Sequence, residues 1–214
     1  MARRRARRPG QPGGVRDTNR KERQQALLDA ALLLFLERGI EGVSVDDITQ
    51  KAKMAKGSFY RYFDSQQALV EELLEPTRAQ MTEALEQCAG ELATASTREL
   101  QFLAYRRVGD MVGTLLLSHP GVVRLYLQEC RAPSIGARKP VVELSRVISR
   151  YAIHITEKAQ AHGILRPIPV PISALSVVGA AERLLLGVLL EEPLGNPLDI
   201  PDALTSLILD GLKA

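Results

Sequence analysis

Apolar residues recur every three or four positions along most of this chain, and they nowhere alternate strictly with polar residues for more than a few positions. A spacing of three to four is typical of helices that bury one face, whereas strict alternation is typical of half-buried strands. Because 45% of the 214 residues are apolar, the chain has enough apolar side chains for a globular core. We therefore expect an all-α protein with about nine helices.

The same periodicity predicts where the helices lie. They cover residues 20–38, 44–52, 56–63, 65–88, 97–118, 122–130, 140–162, 172–190 and 201–212. Gly39 directly follows the first helix, at the position where glycine commonly ends one. Ser44 stands three residues before Asp47, which is the spacing of a capping box, and Pro76 is expected to bend the fourth helix.

Positive charge is concentrated near the N-terminus. Residues 1–63 contain 14 Lys or Arg against 7 Asp or Glu, whereas the remaining residues contain 14 against 18. Residues 1–16 consist mostly of Arg, Pro and Gly and hold too few apolar side chains to form a core, so we expect a flexible basic arm. A basic N-terminal unit on an otherwise acidic chain favours binding to a nucleic acid.

Signals for catalysis, metal binding and export are missing from the sequence. The two cysteines and three histidines do not have the spacing of a metal site, and no catalytic serine motif or Gly-rich phosphate loop is present. No apolar segment follows the N-terminal arginines, and the apolar segment 172–190 carries Glu182 and Arg183 at its middle. We therefore expect a cytoplasmic non-enzyme without metal or cofactor that does not contact a membrane, with residues 172–190 as a buried helix.

Three short helices with a tight turn between the second and third predict a helix-turn-helix. Phe59 and Phe63 lie four residues apart and define the core side of the third helix. The other side carries small or hydrogen-bonding residues, which suit a helix lying in the major groove of DNA. These residues are Lys56, Gly57, Ser58 and Arg61.

Residues 23–69 resemble the TetR family of bacterial transcription regulators. About a dozen positions match in register. They include Ala30-Ala31, Leu34-Phe35, Gly39, Gly42-Val43-Ser44-Val45, Ile48, the run from Gly57 to Phe63, and Leu69. The resemblance implies a helix-turn-helix DNA-binding domain over residues 17–64 and a larger helical effector-binding and dimerisation domain over residues 65–214.

The resemblance also implies roles for individual residues. Ser44, Tyr60 and Tyr62 match positions that commonly hold DNA phosphates, and Gln66 stands where a phosphate-binding lysine is usual. Lys56, Gly57, Ser58 and Arg61 match positions that meet base edges, and Arg61 is expected to read a guanine. In the arm, Arg3, Arg4 and Arg5 are expected to enter the minor groove or to follow the phosphates.

Two further positions depart from the family pattern. Lys53 occupies a turn position where glycine is usual, so we expect either a strained left-handed lysine, at a cost of about 1 kcal/mol, or a reshaped turn. Ala55 replaces the hydroxyl residue that usually caps the third helix. Asp46, on the second helix, would repel phosphate unless it pairs with a lysine or accepts a hydrogen bond from cytosine.

The C-terminal helices are expected to bind an unidentified small-molecule effector and a second copy of the chain. The resemblance implies a cavity enclosed by the fifth to eighth helices, and polar or aromatic residues within these apolar helices are candidates for its lining. The candidates are Phe102, Tyr105, Arg106, Tyr126, Glu129 and His154. The last two helices predict a symmetric four-helix dimer interface, with the alternative that both belong to the core of one chain.

The function predicted from these observations is a homodimeric repressor that an effector releases from a palindromic operator in double-stranded DNA. Two alternatives remain open from the sequence. One is a protein that coats DNA without sequence preference through its arginine arm, and the other is a helical enzyme or carrier that binds a small molecule.

Overall fold

The computed structural model describes residues 15–211, with side chains from Thr18 onward. Within these residues the chain forms nine α-helices and no strand, which confirms the predicted fold class. The helices are α1 (Val15–Arg38), α2 (Val45–Lys51), α3 (Lys56–Phe59), α4 (Gln66–Leu92), α5 (Arg98–Ser118), α6 (Pro120–Glu129), α7 (Lys139–Ala161), α8 (Val170–Leu189) and α9 (Ile200–Gly211). Short 3-10 turns cover Ile40–Gly42, Gly136–Arg138 and Pro197–Asp199.

Three predicted boundaries were wrong by four residues or more, one of them the end of the fourth helix, which continues to Leu92 and does not stop at residue 88. The first helix begins at Val15, so Val15 and Arg16 belong to α1 and not to the arm. The third helix ends at Phe59, four residues before the predicted end, because the chain tightens there: the amide of Arg61 donates to Ser58 and that of Tyr62 donates to Phe59, each three residues back. Arg61 and Tyr62 therefore lie in turns directly after α3.

The predicted signals at the helix ends are confirmed. Ser44 caps α2: its side-chain oxygen accepts from the Asp47 amide at 3.2 Å, and its own amide donates to the Asp47 carboxylate at 2.9 Å. These hydrogen bonds hold the pKa of Asp47 below its ordinary value, with the Ser44 hydroxyl contributing most. Gly39 has a φ of 74°, and its amide donates to the Phe35 carbonyl at 2.8 Å, which ends α1.

The buried side chains form two cores. The first joins α1, α2, α3 and the start of α4 to α6 and the start of α7, with Phe35, Phe59 and Leu125 fully buried. The second lies between the far half of α4, α5, the far half of α7 and α9, around Cys88, Ala104 and Ala159. The first core therefore contains residues from both sides of the predicted domain boundary at residue 64.

Helix α8 is more exposed than the sequence predicted. By length and composition it could cross a membrane, although one such helix is weak evidence for a membrane span. Only 17% of its most apolar 18-residue stretch is buried. Its described residues include just three that are buried, Ser173, Ala174 and Gly187. The prediction of a buried helix was wrong because α8 packs mainly against α7 along one side, which leaves Ile172 and Leu175 at the surface, 65% and 46% exposed.

Candidate nucleic-acid interface and internal cavity

The turn between α2 and α3 is built around Lys53, whose φ is 55°. Lys53 therefore adopts the left-handed backbone conformation at this glycine position, for which we expect a cost of about 1 kcal/mol. The amide of Lys53 donates to Gln50 at 3.0 Å, and that of Met54 donates to Thr49 at 2.8 Å. The turn thus fixes the direction in which α3 leaves α2.

The short helix α3 has one buried side and one open side. Phe59 is fully buried and Phe63 is 5% exposed, with their ring centroids 5.6 Å apart in the first core. The predicted base-reading residues lie on the other side, where Lys56, Gly57 and Arg61 are exposed and Ser58 is half-buried. The polar side of the helix-turn-helix therefore faces solvent and does not pack into the core.

The predicted phosphate-binding residues differ in how exposed they are. Ser44 is exposed, and its hydroxyl donates to the Asp47 carboxylate at 2.5 Å. Tyr60 is 56% exposed with its ring edge-on to Phe59 at 5.4 Å, and Tyr62 is half-buried against the first core. Arg3, Arg4 and Arg5 lie outside the described residues.

Gln66 has an internal role that the sequence did not predict. Its side-chain nitrogen donates to the carbonyl oxygens of Ile40 at 3.1 Å and Val43 at 3.0 Å. Both amide hydrogens are therefore used to fasten the start of α4 to the segment between α1 and α2. In this conformation the side chain of Gln66 has no amide hydrogen left for a phosphate, and a contact through its backbone amide at the start of α4 stays a prediction.

A partly open cavity of about 240 Å³ lies among helices α4 to α9. Most of its wall is apolar, as at Leu85, Val112, Ile155 and Leu204. Two of the six predicted ligand-binding residues, Tyr105 and Tyr126, line it. Cys88 also faces the cavity, and burial raises the pKa of its thiol to about 12, so this thiol stays protonated at neutral pH.

The other four predicted ligand residues do not line this cavity. Phe102 packs against the second core, and His154 lies on the exposed side of α7. Arg106 points away to pair with Asp110 at 3.0 Å and with Asp202. Glu129 is buried between other groups of the protein. A position within an apolar helix does not specify which side of the helix faces the cavity, so the sequence could not place these four side chains relative to it, and a role in ligand binding stays a prediction for them.

Glu129, at the end of α6, connects the segment that follows α1 to the segment that precedes α7. One carboxylate oxygen accepts from the Ile40 amide at 3.2 Å, and the other accepts from the Arg138 side chain at 2.5 Å. The Glu129 and Arg138 side chains are only 5% and 13% exposed. This buried ion pair therefore fixes the end of α1 and the turn that follows it against α6 and α7.

Sequence reasoning missed Glu182 as a residue of the cavity. Its carboxylate accepts from the Tyr126 hydroxyl at 2.7 Å and from Arg131 at 2.6 Å, and its side chain is 12% exposed. The available signal was a charged residue at the middle of an otherwise apolar helix, which the sequence analysis used only as an argument against a membrane span.

The comparisons with known sequences concern mainly the N-terminal helices. The sequence model described as bacterial regulatory proteins, tetR family, matches residues 27–73. The HTH-type transcriptional repressor KstR2 of Rhodococcus jostii (strain RHA1) is 42% identical over 64 residues, 29% of this chain and 31% of that repressor. The HTH-type transcriptional repressor DhaR of Mycobacterium sp. (strain GP1) is 32% identical over 95 residues, 44% of this chain and 48% of that repressor. These matches span less than half of each relative.

Solved structures resemble nearly the whole chain. The regulator FadR from Bacillus subtilis, in complex with stearoyl-CoA, has a TM-score of 0.64 at 18% identity and covers 88% of this chain and 98% of that one. The ketosteroid transcriptional regulator KstR2 of Mycobacterium tuberculosis has a TM-score of 0.61 at 19% identity, covering 90% of this chain and 95% of that one. At these identities the likeness concerns the fold. Residues 27–73 therefore resemble the N-terminal domain of bacterial regulatory proteins of the tetR family, and the chain as a whole resembles these solved regulators in its fold.

Proposed function

We propose that the protein is a homodimeric transcriptional repressor that binds a two-fold symmetric operator through α3 and the turn after it, and releases it when an apolar small molecule fills the cavity. The observation that carries this proposal is the division of the α3 segment into a side sealed by Phe59 and Phe63 and an open side with Lys56, Gly57 and Arg61. An open hydrogen-bonding side on a helix-turn-helix is suited to reading base edges.

Gly57 supports contact between this side and a partner. A side-chain carbon added at Gly57 would meet no atom of the protein within 4 Å. Glycine inside a helix costs about 0.5–1 kcal/mol relative to alanine, and no contact within the described structure requires it here. A closely approaching surface such as a DNA backbone accounts for the missing side chain.

The exposed apolar residues of α8 and α9 support a dimer. Ile172, Leu175 and Leu207 are 65%, 46% and 61% exposed in the single chain. A short recognition helix reads only a few base pairs, so specific binding requires a second copy one helical turn of DNA away. Contact between α8 and α9 of two chains would bury these side chains and set that separation.

The cavity and Glu129 support control by an effector. The apolar wall suits an apolar molecule, in keeping with the stearoyl-CoA bound to FadR and with the naming of KstR2 as a ketosteroid regulator. Tyr126 of α6 lines the cavity, and Glu129, three residues later, holds the Ile40 amide. A ligand that displaces α6 therefore acts on the end of α1 through one short helix.

The proposal is tested by selecting genomic DNA fragments bound by the full chain and mapping the protected bases. A two-fold symmetric site should stay protected at salt concentrations where random duplex no longer binds. Arg61→Ala should weaken this site, whereas Arg150→Ala, which changes an exposed arginine of α7, should not. If rising salt weakened binding to the selected site and binding to random duplex equally, the protein would instead be a non-specific DNA-coating protein.

A further inference from the structure

The cavity contains a single charged side chain among the described residues that line it, and that residue is Glu182. An unpaired carboxylate would be very unfavourable beside so many apolar groups. Glu182 is stabilised by Tyr126 from within the wall and by Arg131, whose side chain is 73% exposed and so reaches the carboxylate from the solvent side. The cavity therefore has one polar point, which we define as the Glu182 carboxylate with its partners Tyr126 and Arg131.

The hydrogen atoms at this polar point are already in use. The Tyr126 hydroxyl donates its only hydrogen to Glu182. Burial, reinforced by the negative charge of Glu182, raises the pKa of Tyr126, so the phenol keeps that hydrogen at neutral pH. Thr156, also in the wall, donates its hydroxyl hydrogen to the Ala152 carbonyl at 2.8 Å. Near Glu182 the cavity consequently offers lone pairs that accept hydrogen bonds.

The one tyrosine hydroxyl of the wall without a hydrogen bond among the described residues belongs to Tyr105. Burial raises the pKa of Tyr105, and Cys88 contributes a smaller effect, so this hydroxyl is neutral. Ser173 and Thr205 add two further neutral hydroxyls to the wall, but no described residue that lines it carries a positive charge that would offset a second carboxylate beside Glu182.

We propose that the effector is an apolar molecule whose polar group donates a hydrogen bond to Glu182, and that apolar molecules ending in an ionised carboxylate are rejected. This inference rests on the proposed role of the cavity as the effector site. A hydroxyl or an ammonium group supplies the required hydrogen, while a carboxylate brings a second negative charge next to Glu182 in a largely apolar environment, where like charges repel strongly.

The test measures direct binding of ten-carbon probes to the full chain at neutral pH, without DNA, by displacement of a neutral fluorescent apolar dye. Decan-1-ol and decylamine carry a donor, 1-methoxydecane has none, and decanoate carries the charge. We expect decan-1-ol to bind about tenfold more tightly than 1-methoxydecane, as for a hydrogen bond to a charged group, and at least about tenfold more tightly than decanoate. Decylamine binding more tightly than decan-1-ol would support the inference and assign the donor to a cation.

Glu182→Gln removes the charge and keeps the shape of the side chain. It should reduce the preference for decan-1-ol over decanoate by about tenfold, whereas Glu157→Gln, on the exposed side of α7, should leave that preference unchanged. Thermal unfolding of both variants checks that they fold, and Tyr126→Phe supplies a second variant at the same polar point.

Three outcomes overturn the inference: no binding of decan-1-ol or decylamine, equal binding of decanoate, or a preference that Glu182→Gln does not alter. Operator binding is measured on the same preparations before any probe is added. If the protein binds its operator but shows no preference for probes that carry a hydrogen-bond donor, only the proposed class of effector is rejected. If the protein shows no operator specificity, the proposed function itself is rejected.

Discussion

The side-chain ammonium of Lys56 lies 2.8 Å from the carboxylate of Asp46, so the first residue of α3 is paired with the first turn of α2. Asp46 is the acid that the sequence placed near DNA, and the lysine pairing considered there is the arrangement in the structure. The hydrogen bond to Asp46 raises the pKa of Lys56. Because both side chains are more than half exposed, the pair controls the charge offered to DNA more than the stability of the fold.

Asp46→Asn should therefore increase the affinity for DNA of any sequence. Releasing Lys56 to a phosphate would steepen the dependence of log affinity on log salt concentration by about 0.9, the value for one additional phosphate contact. Titrations of operator and random duplex at several salt concentrations measure this slope. Glu157→Gln changes the net charge by the same amount on the exposed side of α7 and serves as the control. Equal slopes for both variants would argue that Asp46 does not keep Lys56 from the DNA.

Arg61→Ala should relax base preference at one step of each operator half-site. Arg61 is exposed and makes no ion pair within the described residues, so its guanidinium is available for a bidentate contact with guanine. We expect discrimination at that step to fall by about 1–3 kcal/mol. Binding to a panel of single-base operator variants measures it. A uniform loss of affinity without a change in base preference would assign Arg61 to a phosphate.

Glu129→Ala should lower the free energy of unfolding by roughly 3–5 kcal/mol, because it leaves the buried Arg138 without its partner and the Ile40 amide without its acceptor. Urea unfolding followed by circular dichroism measures the change. The control is Glu143→Ala, which breaks exposed contacts with Arg146 and Arg150 and should cost at most about 1 kcal/mol. Similar values for the two variants would contradict the proposed connection.

Lys53→Gly should stabilise the protein by up to about 1 kcal/mol, because glycine adopts the left-handed backbone conformation at this turn without steric cost. Lys51→Gly, two residues earlier at the last residue of α2, provides a matched control and should destabilise by at most about 1 kcal/mol, since glycine is unfavourable in a helix. Urea midpoints of both variants test the contrast. A loss of stability in Lys53→Gly would show that the lysine side chain stabilises the turn.

Local sequence signals predicted much of the fold. The Ser44 capping box, the Gly39 helix end and the pairing of Phe59 with Phe63 depend on residues a few positions apart, so their spacing alone specifies them. The length of α3 was less predictable, because the hydrogen bonds from the amides of Arg61 and Tyr62 to carbonyls three residues back leave no mark in the apolar pattern.

Contacts between distant parts of the chain could not be predicted in this way. The partner of Glu129 is an amide 89 residues earlier, and that of Tyr126 is a carboxylate 56 residues later. Gln66 was assigned to a phosphate from the family resemblance, yet its side-chain amide is directed to Ile40 and Val43. In each case the side chain has a role that depends on how the helices pack, which is not encoded by spacing within one helix.

The first core has a consequence for dissecting this protein. A fragment that stops at residue 64 would lack Leu125, Val141 and Leu144, which complete the packing around Phe35 and Phe59. Such a fragment would expose the apolar interior that these side chains cover, and it would lose the carboxylate that holds Ile40. We therefore expect that the helix-turn-helix segment does not fold as an independent unit, and calorimetry of the intact chain should show its melting merged with that of α6 and α7.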